Sequence, residues 1–146
     1  MEVEIKIDKT LKAPKTVIFT NEITEEIHAL AAKLSGKVLK NLIGYKDSEL
    51  ILLNLEDIIN IYAQGGKVYA RTKAETALLK YRLYELENIL DDTSFLRISN
   101  SEIANFKKVK SLDMSISGIL SLKFKDGEKT FVSRRYVEKI KKFLGI

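Results

Sequence analysis

The side chains best equipped for chemistry in this chain are the amides, hydroxyls and guanidinium groups of two short stretches. The first lies in FLRISNSEIANFKKVKSL, residues 95–112. Arg97, Ser99, Asn100, Ser101 and Asn105 interrupt an apolar series of Phe95, Ile98, Ile103, Phe106, Val109 and Leu112. The second is VSRRY, residues 132–136, with Ser133, Arg134 and Arg135. Arg and Asn suit guanine and adenine edges, while Ser and Lys suit phosphates. Ser and Asn also bond nearby backbone, which gives loops a fixed shape. The pattern predicts a strand that enters an ordered polar loop and returns as a second strand. The two stretches are expected to form one surface that faces nucleic acid. The plain alternative is a pair of solvated polar turns.

The elements that must position these groups follow from bulk composition and periodicity. The chain has 146 residues, 45% of them hydrophobic, enough for one domain with a real core or one domain plus a small extension. Cysteine is absent, which excludes disulfides, thiolate metal sites and cysteine nucleophiles. The single histidine, His28, has no partner for a multi-histidine metal site and reads as a surface or boundary residue. No apolar run is long enough for a membrane span, and MEVEIKIDK is no signal peptide, so a cytoplasmic protein is expected. The net charge of +5 is concentrated: residues 92–146 carry 12 Lys and Arg against 6 Asp and Glu. A localised basic surface is the footprint of a polyanion partner.

Val3, Ile5 and Ile7 alternate with charged residues, and TVIFT (16–20) is β-branched, so two short strands are expected there. Thr20 or Asn21 then caps a helix with Ile23, Ile27, Leu30, Ala31 and Leu34 on one stripe and Gly36 at its end. A connector with a short strand follows to Asp47. Leu50–Leu53 is a strand, and Ile59 to Ala63 and Val68 to Ala70 flank Gly65-Gly66, a hairpin signal of type I′. Ala77–Leu79 is a further strand, and Leu79, Leu83, Leu86 and Leu90 have helical spacing, ended by Asp91-Asp92. Strands are expected again around Met114 and Ile116, with a turn at Ser117-Gly118, and from Leu120 to Phe124. Asp126-Gly127 reads as a two-residue turn that sets Lys125 opposite Glu128 and Leu122 opposite Phe131. A closing helix runs from Arg135 to Leu144 with Ser133 as its cap.

No enzymatic constellation is found: no G-x-S-x-G, no Gly-rich phosphate loop and no H-E-x-x-H. Ser99-x-x-Glu102 is better read as a helix capping box than as a nucleophile with its base. The acidic residues are scattered, so neither a metal nor another cofactor is expected.

FLRISNSEIAN, followed by KKVKSL, a D-G hairpin and VSRRYVEKIKKFL, resembles the LytTR family of bacterial DNA-binding domains. EDIINIYAQGGKVYART is similar to that family's first hairpin and LYELENIL to its helix. The resemblance covers residues 48–146. It implies a mainly β (α+β) fold: an elongated antiparallel domain with two short helices, here preceded by a small β-β-α leader at residues 1–47. It implies a non-enzymatic transcription regulator whose inter-strand loops read successive major grooves of double-stranded DNA. The residues it assigns to DNA are Lys67, Arg97, Ser99, Asn100, Ser101, Ser133, Arg134 and Arg135, with Asn105 structural. A 47-residue leader has no room for a phospho-receiver domain, so the chain resembles the small stand-alone branch. That branch implies an inhibitory membrane protein as a further partner. The regulator is expected to bind as a homodimer on repeated half-sites and to have no small-molecule substrate. The leader is then a candidate dimerisation or regulatory segment. The competing reading is a protein-interaction module whose basic face meets an acidic protein or a membrane-associated partner.

Overall fold

The computed structural model describes residues 1–35, 39–116 and 118–146, with the side chains of Ser115 and Ile116 left aside. The chain divides into two compact units, Met1–Val38 and Leu39–Ile146.

Among the described residues of the first unit one helix forms, α1 (Glu25–Leu34). Its cap is Thr24, beyond both expected positions, Thr20 and Asn21, and its hydroxyl accepts the Ile27 N–H at 3.2 Å. Glu25 and Glu26 occupy the first turn, where carboxylates meet the positive end of the helix dipole. The expected Gly36 cap lies outside the described residues. The two expected strands do not form: residues 1–24 contain none. Val3, Ile5, Ile7 and Phe19 are all at least 80% exposed. Alternation in the sequence marks a face fit for burial, but a strand also needs a neighbouring edge to bond.

Among the described residues of the second unit, ten strands form two antiparallel sheets. The larger has the order β2 (Glu49–Asn54), β1 (Asn41–Lys46), β5 (Thr76–Leu79), β4 (Lys67–Thr72), β3 (Ile58–Gln64), β7 (Glu102–Asn105), β6 (Phe95–Ser99). The smaller has the order β10 (Lys129–Val132), β9 (Ile119–Phe124), β8 (Val109–Ile116). Helices α2 (Leu83–Ile89) and α3 (Arg134–Leu144) complete the unit. The expected boundary at residue 47 would cut the β1–β2 hairpin, whose six pairs run from Asn41↔Asn54 to Lys46↔Glu49. The compact unit therefore starts at Leu39.

The core is in two parts because successive strand residues point to opposite faces. Ile61, Ala70, Ala77 and Ile103 pack with Leu83 and Leu86 of α2 on one face. Ala104, Ile98, Leu122, Phe124 and Ile140 of α3 pack on the other. Gly44 lies in β1 beneath Ala77 and Leu53, with no room for a side chain.

Two hairpin turns decide where polar groups point. Gly65 and Gly66 have φ of 59° and 75°, the left-handed pair that a type I′ turn requires. The β9–β10 turn differs from expectation. Thr130 pairs with Leu122, and Phe131 with Ser121. The Gly127 N–H bonds to Phe124 O at 3.0 Å, and Gly127 takes φ of 96°. This is a three-residue loop, one residue longer than a two-residue turn, and it shifts β10 by one position. Phe131 therefore points to solvent, 60% exposed. Thr130 faces inward instead. At the β8–β9 turn, Ser117 lies outside the described residues.

Candidate nucleic-acid interface

Strand direction brings three polar groups to one end of the unit. β3 runs toward Gly65-Gly66, and its Tyr62 pairs with Glu102 at the start of β7. The Ala63 N–H donates to Ser101 O at 2.8 Å, so the β6–β7 turn sits beside the β3–β4 tip. The Ser133 N–H donates to Ile98 O at 2.9 Å, which docks the start of α3 on the end of β6.

Asn100 is exposed at the β6–β7 turn. Its side-chain oxygen lies 3.4 Å from Arg135 Nη1 and 3.4 Å from the Tyr136 hydroxyl, both possible donors. These bonds are longer than usual, so the amide is held weakly and is free to exchange partners. The Arg135 guanidinium also lies 5.4 Å from the Tyr136 ring centroid. Arg134, Arg135, Ser133 and Lys67 are exposed, and among the described residues none of the three cations has a carboxylate partner. Ser133 caps α3 through its backbone, with no bond from its hydroxyl. The positive end of α3 adds to Arg134 and Arg135, an arrangement suited to phosphate.

Arg97, expected at the surface, is turned inward. Its guanidinium bonds Ser99 O and Asn100 O, each at 2.6 Å, and pairs with Glu87. Every one of these partners belongs to the turn or to α2, so Arg97 helps to shape the loop. Ser99 has a similar part: its hydroxyl accepts the Ser101 N–H at 3.2 Å and lies 3.3 Å from Ser101 Oγ. Ser101 itself is exposed. The expected capping box does not exist, since Ser99 and Glu102 flank a turn between strands. Asn105 is buried and structural, as expected: its amide donates to Ile58 O at 2.8 Å and accepts the Lys107 N–H at 3.1 Å.

Glu102, expected only as half of a capping box, has a different and central place. One of its oxygens accepts from Asn60 at 2.7 Å and the other from the Thr130 hydroxyl at 2.5 Å. Arg71 donates to Asn60 at 2.8 Å and pairs with Asp126. This network ties the two sheets together directly behind Ser101. No local motif announces it, because its members lie 42 and 28 positions apart. Tyr136 was also missed, although its place beside Arg135 in VSRRY is a usable signal.

Among the described residues no helix is long and apolar enough to cross a membrane. Helices α2 and α3 are separated by five strands, so they form no helix-turn-helix.

The family description "LytTr DNA-binding domain" matches residues 48–145. HTH-type transcriptional regulators of Staphylococcus aureus strains NCTC 8325 / PS 47 and COL are each 39% identical over 105 residues, covering 72% of this chain and 71% of theirs. The relative in strain MRSA252 is 38% identical over the same length. The fold matches the LytTr DNA-binding domain of a methyl-accepting/DNA response regulator from Bacillus cereus with a TM-score of 0.71 and 25% identity, covering 74% of this chain and 99% of that one.

Proposed function

This chain belongs to the LytTR family of DNA-binding domains, and we propose that it is a transcription regulator that binds duplex DNA sequence-specifically through inter-strand loops. The observation that carries the proposal is the placement of Asn100 beside Arg135, exposed at the same end as the Gly65-Gly66 tip. Asn100 and Arg135, 3.4 Å apart, read base edges in the same major groove. Lys67 and Arg134 meet phosphates, with the Ser101 and Ser133 hydroxyls available to do the same. Arg97 and Ser99 hold the turn in shape. The basic excess of residues 92–146 supplies the non-specific attraction.

The protein acts without catalysis, as a homodimer on repeated half-sites. Met1–Val38, with Val3, Ile5, Ile7 and Phe19 open to solvent, is the candidate segment for meeting a second copy or an inhibitory membrane protein.

The test is selection of bound fragments from random duplex DNA, followed by titration of the selected site at several salt concentrations. A shared motif should emerge and bind about a thousandfold tighter than random duplex. Asn100→Ala and Arg135→Ala should each reduce that preference. If every duplex binds equally well, the sequence-specific reading is wrong.

A further inference from the structure

A cleft of about 510 Å³ opens at the other end of the Leu39–Ile146 unit. β3 runs from Ile58 at this end to Gln64 at the Asn100 end, and the β4–β5 turn lies here too. Leu52, Leu53 and Ile59 give the cleft an apolar wall, and Lys73, Lys108 and Lys125 stand around it. This size is ordinary for a site that takes a small organic molecule.

The charges in the cleft are unequally committed. Glu75 is bound by Lys46 at 3.7 Å, and Asp126 by Arg71. Asp57 is the one acidic lining residue without an ion-pair partner among the described residues. The three lysines also lack a carboxylate partner among the described residues. The Lys125 N–H donates to Lys108 O at 2.9 Å, so the backbone sets these two lysines side by side. Both residues line the cleft, so an anion seated there meets two positive side chains rooted on adjoining backbone.

We propose that this cleft binds a small organic anion: one carboxylate or phosphate head shared by Lys108 and Lys125, and an apolar body against Leu52, Leu53 and Ile59. The bound anion is linked to the far end of the unit by a continuous set of side chains. Asp126 lines the cleft and pairs with Arg71, which bonds Asn60, which bonds Glu102, the residue after Ser101. A ligand that draws on the Lys125–Asp126 turn therefore biases the Asn100 loop. This last step rests on the DNA-binding reading, whereas the binding step does not.

The experiment titrates the full chain with hexanoate and follows backbone amide NMR shifts. Hexyltrimethylammonium and inorganic phosphate are the comparison probes. Hexanoate should give saturable shifts at Leu53, Ala74 and Lys125, tighter than either comparison probe. Lys108→Ala/Lys125→Ala should weaken hexanoate about tenfold, the loss of a charge-assisted bond. Leu52→Ser, at a position 67% exposed and so harmless to folding, should weaken it as well. No saturable shift, or equal binding of the ammonium probe or of bare phosphate, overturns the proposal. Saturating hexanoate should change affinity for the selected DNA about fivefold. Unchanged DNA affinity beside clear hexanoate binding overturns the coupling. Loss of DNA binding under all conditions overturns the earlier reading and leaves the cleft standing.

Discussion

Arg97 holds the backbone carbonyl of Asn100 at 2.6 Å and leaves the Asn100 amide free to face outward. One residue sets the shape and the next presents the chemistry. Arg97→Ala should therefore lower both stability, by about 1.5–3 kcal/mol, and specific DNA affinity. Lysine should not restore either, since three partners in fork geometry need a guanidinium. Denaturant unfolding beside DNA titration checks this. A variant with normal stability and weaker DNA binding would mean that Arg97 touches DNA directly.

Arg135 and Lys67 should separate by the kind of loss. Arg135→Ala is expected to cost about 1–3 kcal/mol on the selected site and to relax preference at one position. Lys67→Ala should weaken all sequences alike and lower the salt slope by about one. Titration on matched and mismatched duplexes at several salt concentrations distinguishes them.

Gly44→Ala should destabilise the domain by about 1–3 kcal/mol through overpacking. The added Cβ would stand 2.7 Å from Ala77 Cβ and 2.9 Å from Leu53 Cδ1. Ala77→Gly in the same chain should recover part of the loss. The urea midpoint measures both.

The Glu102–Thr130 bond should show as coupling in a double-mutant cycle. Glu102→Ala is expected to cost about 2–3 kcal/mol, because it also strands Asn60, and Thr130→Val about 1 kcal/mol. The double variant should cost less than the two together. Strict additivity would mean that the two sheets are not joined there.

Acid should weaken the protein through Asp91. The Thr93 hydroxyl, bonded at 2.6 Å, is the main cause that holds this carboxyl below its ordinary value of 3.8, and burial opposes it. A lowered folded value means that the stabilisation is complete above the unfolded value and disappears as pH falls through the folded one. Thr93→Val should lower stability at neutral pH and flatten the acid limb below about pH 4, so that variant and parent converge in acid. Unfolding midpoints across that range decide.

Local patterns carried the features that depend on neighbours in sequence. Gly65-Gly66 announced its turn because both positions need positive φ, and the polar run at Asn100 announced an ordered loop. The β1–β2 turn was not legible, since Asp47 and Ser48 adopt φ of 48° and 66° without glycine. The loop bonds of Arg97 were not legible because its residue type suits holding a loop as well as touching a ligand. The leader strands failed for the opposite reason: alternation at Val3, Ile5 and Ile7 is real, but pairing depends on an edge elsewhere. Glu102 needed tertiary knowledge, because Asn60, Arg71 and Thr130 meet it only once both sheets exist.

The length of the Lys125–Gly127 loop has an evolutionary corollary. A single deletion there would rotate β10 about its axis, press the Phe131 ring onto the Glu102 carboxylate and expel the Thr130 hydroxyl. Relatives with a shorter loop should therefore have lost the acid at the Glu102 position or replaced Phe131 with a small polar residue.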